Sequence, residues 1–157
     1  MGGKGVGYTK APIAEADMKE LYEQDYSKWA ETMADLLRSG NLAELDIENL
    51  VEEVRDLSKR ERDSLLSSIR LIIHHLLKWD HQPQLRSRSW LVTIQRERSN
   101  IADYLADSPS LKKYITDEYL GNIYKKAKLD AIAETGIDMP DVCPYTVDEV
   151  IYRNLQI

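Results

Sequence analysis

Phenylalanine is absent from this sequence of 157 residues, and cysteine occurs once, at Cys143. A single cysteine excludes an internal disulfide and is typical of a protein in the reducing cytosol. There are only seven glycines and five prolines, and four of the glycines precede Tyr8. So few turn-forming residues in the rest of the chain argue against a turn-rich β fold.

Long apolar runs are also missing. No stretch of 18 apolar residues occurs, so we expect no transmembrane helix. The N-terminus has no apolar core segment, so we expect no secretory signal and predict a cytoplasmic location. The early glycines lack a Gly-Lys-Ser/Thr element, which argues against a phosphate loop. We predict a disordered N-terminal segment over residues 1–16 and a single helical domain over residues 17–157.

The charge balance is acidic and uneven. The net charge is −6, which argues against nucleic acid as a partner. Residues 70–100 nevertheless carry six basic and two acidic side chains, a local +4 that leaves −10 for the rest of the chain. The simplest interpretation is that this basic segment pairs with acidic helices of the same fold.

Helical periodicity and capping residues predict an all-α, single-domain bundle of five to six helices with a long central helix hairpin. The hairpin is expected within Leu65–Ile101, with its turn at His81-Gln82-Pro83. The predicted helices are Tyr26–Ser39 after Asp25, Ile47–Leu57 after Asp46, Lys59–Trp79, a fourth from between Pro83 and Trp90 to Ala106, Ser110–Thr135, and a short one from the Thr146-Val147-Asp148-Glu149 capping box to Asn154.

Four details of this prediction depend on local signals. The turn Asp17–Glu23 either extends the first helix or forms a separate one. A Ser-x-x-Glu capping box at Ser58 predicts a break between the second and third helices, because residues 58–64 carry no apolar side chain. Leu50, Val54 and Leu57 share a face of the second helix, opposite most of its acids. Arg98 interrupts the apolar stripe of the fourth helix, so we expect it beside an acid or in a polar pocket.

An ordered series of short motifs resembles the bacterial family catalogued as domain of unknown function 29, which is common in cyanobacteria. The resemblance spans residues 20–157 and implies a small all-helical cytosolic protein, without an activity or functional residues to carry over. The motifs are Tyr22-Glu23-Gln24-Asp25-Tyr26, Leu36-Leu37-Arg38-Ser39-Gly40, Glu52-Glu53, His75-Leu76-Leu77-Lys78-Trp79, Gln82-Pro83, Ser89-Trp90, Gln95-Arg96, Ser108-Pro109-Ser110-Leu111, Glu134-Thr135-Gly136 and Cys143-Pro144-Tyr145.

One candidate site combines basic and aromatic side chains at the turn of the hairpin. Such sets hold phosphates, nucleotides or single-stranded nucleic acid. The alternative is structural: the tryptophans lock the turn while the arginines reach acids such as Glu52, Glu53 and Asp56. The candidate ligand-binding residues are Lys78, Trp79, His81, Arg86, Arg88 and Trp90.

A metal site is a weaker alternative, in which His75 joins Glu52 and Glu53 from a facing helix. The sequence contains no Glu-x-x-His, His-x-x-x-His or Cys-x-x-Cys spacing. We therefore predict no metal and no cofactor. No catalytic residue is predicted either, because no Gly-x-Ser-x-Gly elbow is present.

These observations leave no specific biochemical function readable from the sequence. The predicted role is a small non-enzymatic interaction or regulatory protein, with binding of a phosphate-bearing ligand or a metal at the hairpin as the alternative. The partner is either an unknown protein or a second copy, for which a homodimer is the commonest arrangement. Several tyrosines fit an interface, although half-buried rings would explain them equally well: Tyr114, Tyr119, Tyr124 and Tyr152.

Overall fold

The computed structural model describes residues 15–157, in which every regular element is a helix and no strand occurs. The predicted all-α class is therefore confirmed. The predicted disordered segment lies outside the described residues, except for its last two, which begin the first helix. The α-helices are α1 Glu15–Gln24, α2 Tyr26–Ser39, α3 Ile47–His81, α4 Arg88–Asp107, α5 Asp117–Thr135 and α6 Val147–Tyr152, with 3-10 turns at Leu42–Glu44, Pro83–Leu85 and Pro109–Tyr114.

The chain divides into two compact units, and the boundary between Leu57 and Ser58 falls inside α3. The first unit contains α1, α2 and the first part of α3. The second unit contains the rest of α3 and α4 to α6. The prediction of a single domain over residues 17–157 stays a prediction.

In the first unit, α2 begins and ends where local capping predicts. The Asp25 carboxylate accepts a hydrogen bond from the Lys28 backbone at 3.1 Å, and Gly40 adopts the left-handed conformation with φ of 76°. Met18, Trp29 and Met33 form a small buried core. The Trp29 indole donates to the carboxylate of Asp46 at 3.1 Å, so this buried acid has a partner.

Helix α3 is continuous over 35 residues, so the predicted break at Ser58 is wrong. Residues 58–64 contain no glycine or proline, and Lys, Arg and Glu are good helix formers. The absence of apolar side chains there reflects solvent exposure, since Ser58, Lys59 and Arg60 are exposed. A Ser-x-x-Glu pattern is compatible with a helix interior as well as with a helix start.

The core of the second unit is built on the C-terminal half of α3, as predicted. Six apolar side chains of this half are at most 1% exposed, while Leu66 is partly buried: Leu65, Ile69, Ile72, Ile73, Leu76 and Leu77. Each such side chain contributes about 1.5–3 kcal/mol when it leaves water. The neighbouring helices complete this core with Ile94, Ile101, Leu120, Ile123, Tyr124, Ala127, Ala131 and Val150.

The predicted helix Ser110–Thr135 is wrong at its start, because a 3-10 turn Pro109–Tyr114 precedes α5. The Thr116 hydroxyl accepts from the Tyr119 backbone at 3.3 Å and starts a new helix there. Gly136 ends α5 with φ of 68°. The capping box at Thr146 is confirmed, since Thr146 and Glu149 exchange hydrogen bonds of 3.2 and 3.3 Å at the start of α6.

Candidate functional site

The Lys78 side chain, one of the predicted ligand-binding residues, is buried and paired within the second unit. Its ammonium donates to one Glu134 oxygen at 2.7 Å and lies 4.5 Å from the centre of the Trp90 ring. The other Glu134 oxygen lies 2.6 Å from His74 Nε2. The hydrogen bond from Lys78 lowers the pKa of Glu134. The Lys78 ammonium is buried and its charge is balanced by Glu134. Lys78 is therefore a structural residue that connects α3 to α5 and to α4.

The second aromatic–basic pair joins Arg86 to Trp79. The Arg86 guanidinium carbon lies 4.9 Å from the centre of the Trp79 ring, and its Nε donates to the Trp79 carbonyl at 2.9 Å. That carbonyl lies in the last turn of α3, where backbone oxygens lack helical partners. Arg86 therefore closes the end of α3.

The remaining two candidate residues lie at the ends of the hairpin helices. His81 is the last residue of α3 and is half-buried, while Arg88 is the first residue of α4 and is exposed. The hairpin thus pairs Lys78 with Trp90 and Arg86 with Trp79, as basic-aromatic contacts. The ligand-binding role of the six residues stays a prediction.

Arg98 meets the second alternative of its prediction: it lines a polar pocket with Gln95 and Asn154 and binds backbone oxygens rather than an acid. Its guanidinium donates to the carbonyls of Val150, Arg153 and Glu149 at 2.9, 2.8 and 3.1 Å. These oxygens belong to the C-terminal end of the short helix α6, which attracts a cation. Burial lowers the pKa of Arg98. Arg98 therefore fastens α6 to α4.

Sequence reasoning missed a polar network around Asp80. Both oxygens of this carboxylate accept from Arg153, at 2.7 and 2.8 Å, and the Tyr145 hydroxyl donates to it at 2.8 Å. Burial acts to raise the pKa of Asp80, but these hydrogen bonds outweigh burial and the pKa is lowered. The partners are 65 and 73 residues away in sequence, beyond any spacing rule. The network ties the C-terminal segment to the end of α3.

The metal alternative gains no support. His75 Nδ1 lies 2.9 Å from the Leu71 carbonyl in the preceding turn, and burial lowers its pKa. Glu53 accepts hydrogen bonds from Tyr22 and Tyr26 at 2.6 and 2.5 Å, and Glu52 is exposed. The facing helices that this site needs are one continuous helix. Across residues 15–157, no three His, Cys, Asp or Glu side chains are grouped as a metal site would require.

The most unusual surface of the first unit is a row of exposed apolar side chains on α3. Ile47, Val51, Val54 and Leu57 are 56%, 41%, 63% and 61% exposed. Their spacing of four, three and three residues places them within an arc of about 120° on the helix. We call these four residues the α3 stripe. Leu50, predicted to share a face with Val54 and Leu57, lies within the same arc, but it packs against the core of the first unit and is half-buried.

The α3 stripe lies in a strongly acidic setting. Residues 15–57 contain thirteen acidic and four basic side chains, a net charge of −9. Glu48 and Glu52 lie beside the stripe and are both exposed, and Glu48 pairs with Lys19 at 2.8 Å. A surface pair of this kind leaves the local field negative, because the remaining acids far outnumber the bases.

The predicted tyrosine surface is only partly formed. Tyr152 and Tyr119 are exposed, and Tyr114 is half-buried with its ring edge against Tyr119. Tyr124 is buried and its hydroxyl donates to the Pro140 carbonyl. The four tyrosines therefore differ in exposure, and the α3 stripe is the more continuous candidate for an interaction surface.

Comparison with known proteins identifies a family without identifying an activity. The sequence profile of one family, described as Domain of unknown function DUF29, matches residues 21–155. No curated protein and no solved structure matches the chain. Within the described residues, no helix is both long and apolar enough to cross a membrane.

Proposed function

We propose that this chain, which belongs to the DUF29 family, acts as a non-enzymatic interaction protein that binds a protein partner through the α3 stripe. The single observation that carries the proposal is the exposure of four of the five apolar side chains between Ile47 and Leu57, of which only Leu50 packs against the core of the first unit. An amphipathic helix normally covers such a face with other elements of its own fold.

The second half of the same helix supplies the comparison. From Leu65 onward, the apolar face of α3 is almost completely buried, as expected for a helix in a folded core. In the first half, Leu50 packs against the core of the first unit, but the four residues of the α3 stripe are left at 41–63% exposure. Isolated exposed apolar residues are common on proteins and need no explanation, but a contiguous exposed row is typical of an interaction site.

The hairpin cluster supports the same choice. Lys78 is neutralised by Glu134, and Arg86 donates to the Trp79 carbonyl. These two cations therefore hold the fold together. Binding a phosphate there would require them to exchange these partners, and this favours the interaction role over the ligand-binding alternative.

The proposal is tested with three tagged forms of the full chain used as baits in an extract of the source organism. They are wild type, Val51→Ser/Val54→Ser, and the control Val92→Ser/Leu129→Ser, whose residues are 52% and 67% exposed in the second unit. Valine and serine have similar helix propensities, so folding should be retained and is checked by circular dichroism. We expect the stripe variant alone to lose proteins that wild type and control retain. Identical capture by all three forms would contradict the proposal.

A further inference from the structure

We infer that the partner segment that covers the α3 stripe is a basic amphipathic helix. This inference rests on the proposed function and adds the chemistry of the partner to it. Two properties of the stripe support it: the helical spacing of its apolar side chains and the negative charge around them.

The shape of the stripe favours a helix as the occupant. Ile47, Val51, Val54 and Leu57 follow the i, i+4, i+7, i+10 spacing and extend over about 15 Å of helix axis. A ridge with this spacing packs into the grooves between side chains of a second helix, which repeat every three to four residues. Helix recognition through i, i+4 and i+7 anchors is one of the common modes of peptide binding.

The charge around the α3 stripe predicts the sign of the charge on the partner helix. The first unit carries −9 over residues 15–57, with Glu48 and Glu52 beside the stripe, Lys19 paired with Glu48, and Arg55 on the same part of the helix. Positive residues flanking the apolar positions of the partner helix would therefore be attracted, and such complementarity raises the association rate and excludes wrong partners.

The same charge argues against the competing occupants. A second copy that used this stripe would bring two −9 units together, and like charges across an interface are unfavourable. Nucleic acid and anionic membrane surfaces are repelled for the same reason. A cationic helix of another protein is the occupant that meets both the apolar and the electrostatic requirement.

The test uses two synthetic 18-residue helical peptides with leucine at the heptad a and d positions. One peptide has lysine at all flanking positions, and the other has glutamate there. Binding to the full chain is measured by fluorescence anisotropy at two salt concentrations. We expect the lysine peptide to bind with a Kd on the order of 10 µM and the glutamate peptide at least about tenfold more weakly, since three turns of helix form an interface smaller than the standard size.

Two variants separate binding at the stripe from general attraction to an acidic protein. Val51→Ser/Val54→Ser leaves every charge in place and should lower the affinity for the lysine peptide about tenfold. Glu48→Gln/Glu52→Gln leaves the apolar side chains in place. It should lower the affinity for the lysine peptide several-fold and make that affinity less dependent on salt. The control Val92→Ser/Leu129→Ser should bind like wild type. Equal binding of the lysine peptide to wild type and to the stripe variant would overturn the inference.

Sedimentation velocity of the same proteins distinguishes failure of the inference from failure of the proposed function. A wild-type dimer that the stripe variant converts to a monomer would identify a second copy as the occupant. That result would overturn the basic-helix inference but leave protein binding through the α3 stripe in place. Stronger binding of the glutamate peptide would likewise overturn the inference alone.

Discussion

Replacing Asp80 by asparagine should destabilise the second unit in a pH-dependent way. The Asp80 carboxylate accepts two hydrogen bonds from Arg153 and one from Tyr145, all at 2.7–2.8 Å. Asparagine has a similar shape but carries no charge and only one acceptor oxygen. At least one charge-assisted bond is therefore lost and the others are weakened.

The magnitude follows from the exposure of the pair. The side chains of Arg153 and Asp80 are 32% and 28% exposed, so solvent screens them only in part. A hydrogen bond to a charged group contributes about 1.5–3 kcal/mol. We expect Asp80→Asn to lower the free energy of unfolding by about 2 kcal/mol at pH 7 and the Tm by about 4–8 °C.

The sign of the pH dependence is fixed by the direction of the pKa shift. Hydrogen bonds from Arg153 and Tyr145 outweigh burial and hold the pKa of Asp80 below its ordinary value. The carboxylate therefore contributes stability above about pH 5, and this contribution is lost as the pH falls through the folded-state pKa, below the unfolded value of about 3.9. The stability difference between wild type and Asp80→Asn should therefore shrink as the pH falls, because the wild-type carboxyl is progressively neutralised.

Urea unfolding followed by far-UV circular dichroism at pH 7 and at acid pH measures both quantities. Asp103→Asn, at an exposed acid on α4, is the matched control and should change stability by less than about 0.5 kcal/mol. In an Arg153→Gln background, Asp80→Asn should cost about 1 kcal/mol less than in wild type, because its main partner is already gone. Unchanged stability of Asp80→Asn at pH 7, or an equal loss at acid and neutral pH, would refute the reasoning.

Further substitutions test other parts of the fold by the same unfolding measurement. Ser58→Ala should stabilise by about 0.5 kcal/mol inside a continuous α3, whereas loss of a helix cap would cost about 1 kcal/mol, so the sign decides between the two. Gly136→Ala should cost about 1 kcal/mol because φ is 68°, although the added methyl meets open space. Gly121→Ala inside α5 also meets open space and should stabilise by about 0.8 kcal/mol; destabilisation there would contradict the described helix. Glu134→Gln should lower the free energy of unfolding by about 1–3 kcal/mol, because Lys78 is 5% exposed and would lose its charged partner. An unchanged Tm would show that the charge of Glu134 does not stabilise the fold.

Local chemistry made most helix boundaries predictable. Asp25, Gly40 and Gly136 each act on backbone groups within a few residues, and the corresponding helix ends agree with the prediction. The capping box at Thr146 also marks a true start. The same pattern at Ser58 is misleading. A capping box supplies hydrogen-bond partners for the backbone N–H groups at a helix start, but in a continuous helix the preceding carbonyls already bind these groups.

Partners far apart in sequence could not be predicted. Arg98 was expected beside an acid or in a polar pocket, and its actual partners are carbonyls about 50 residues away at the end of α6. The network of Asp80, Tyr145 and Arg153 depends equally on how the C-terminal segment folds back onto α3. Composition and spacing identify such residues as polar and partly buried, but the identity of the partner is decided by tertiary packing.

The α3 stripe shows why the candidate function lies beyond sequence periodicity. The pattern of residues 47–57 correctly predicts an amphipathic helix, but a period of 3.6 residues says only that one face is apolar. Whether that face is covered depends on the elements around it, and Val54 and Leu57 remain more than 60% exposed. Because helices within a folded domain gain most of their stability by burying such a face, an uncovered one is most simply completed by another chain. The −9 charge of residues 15–57 is the reason why we propose a basic partner.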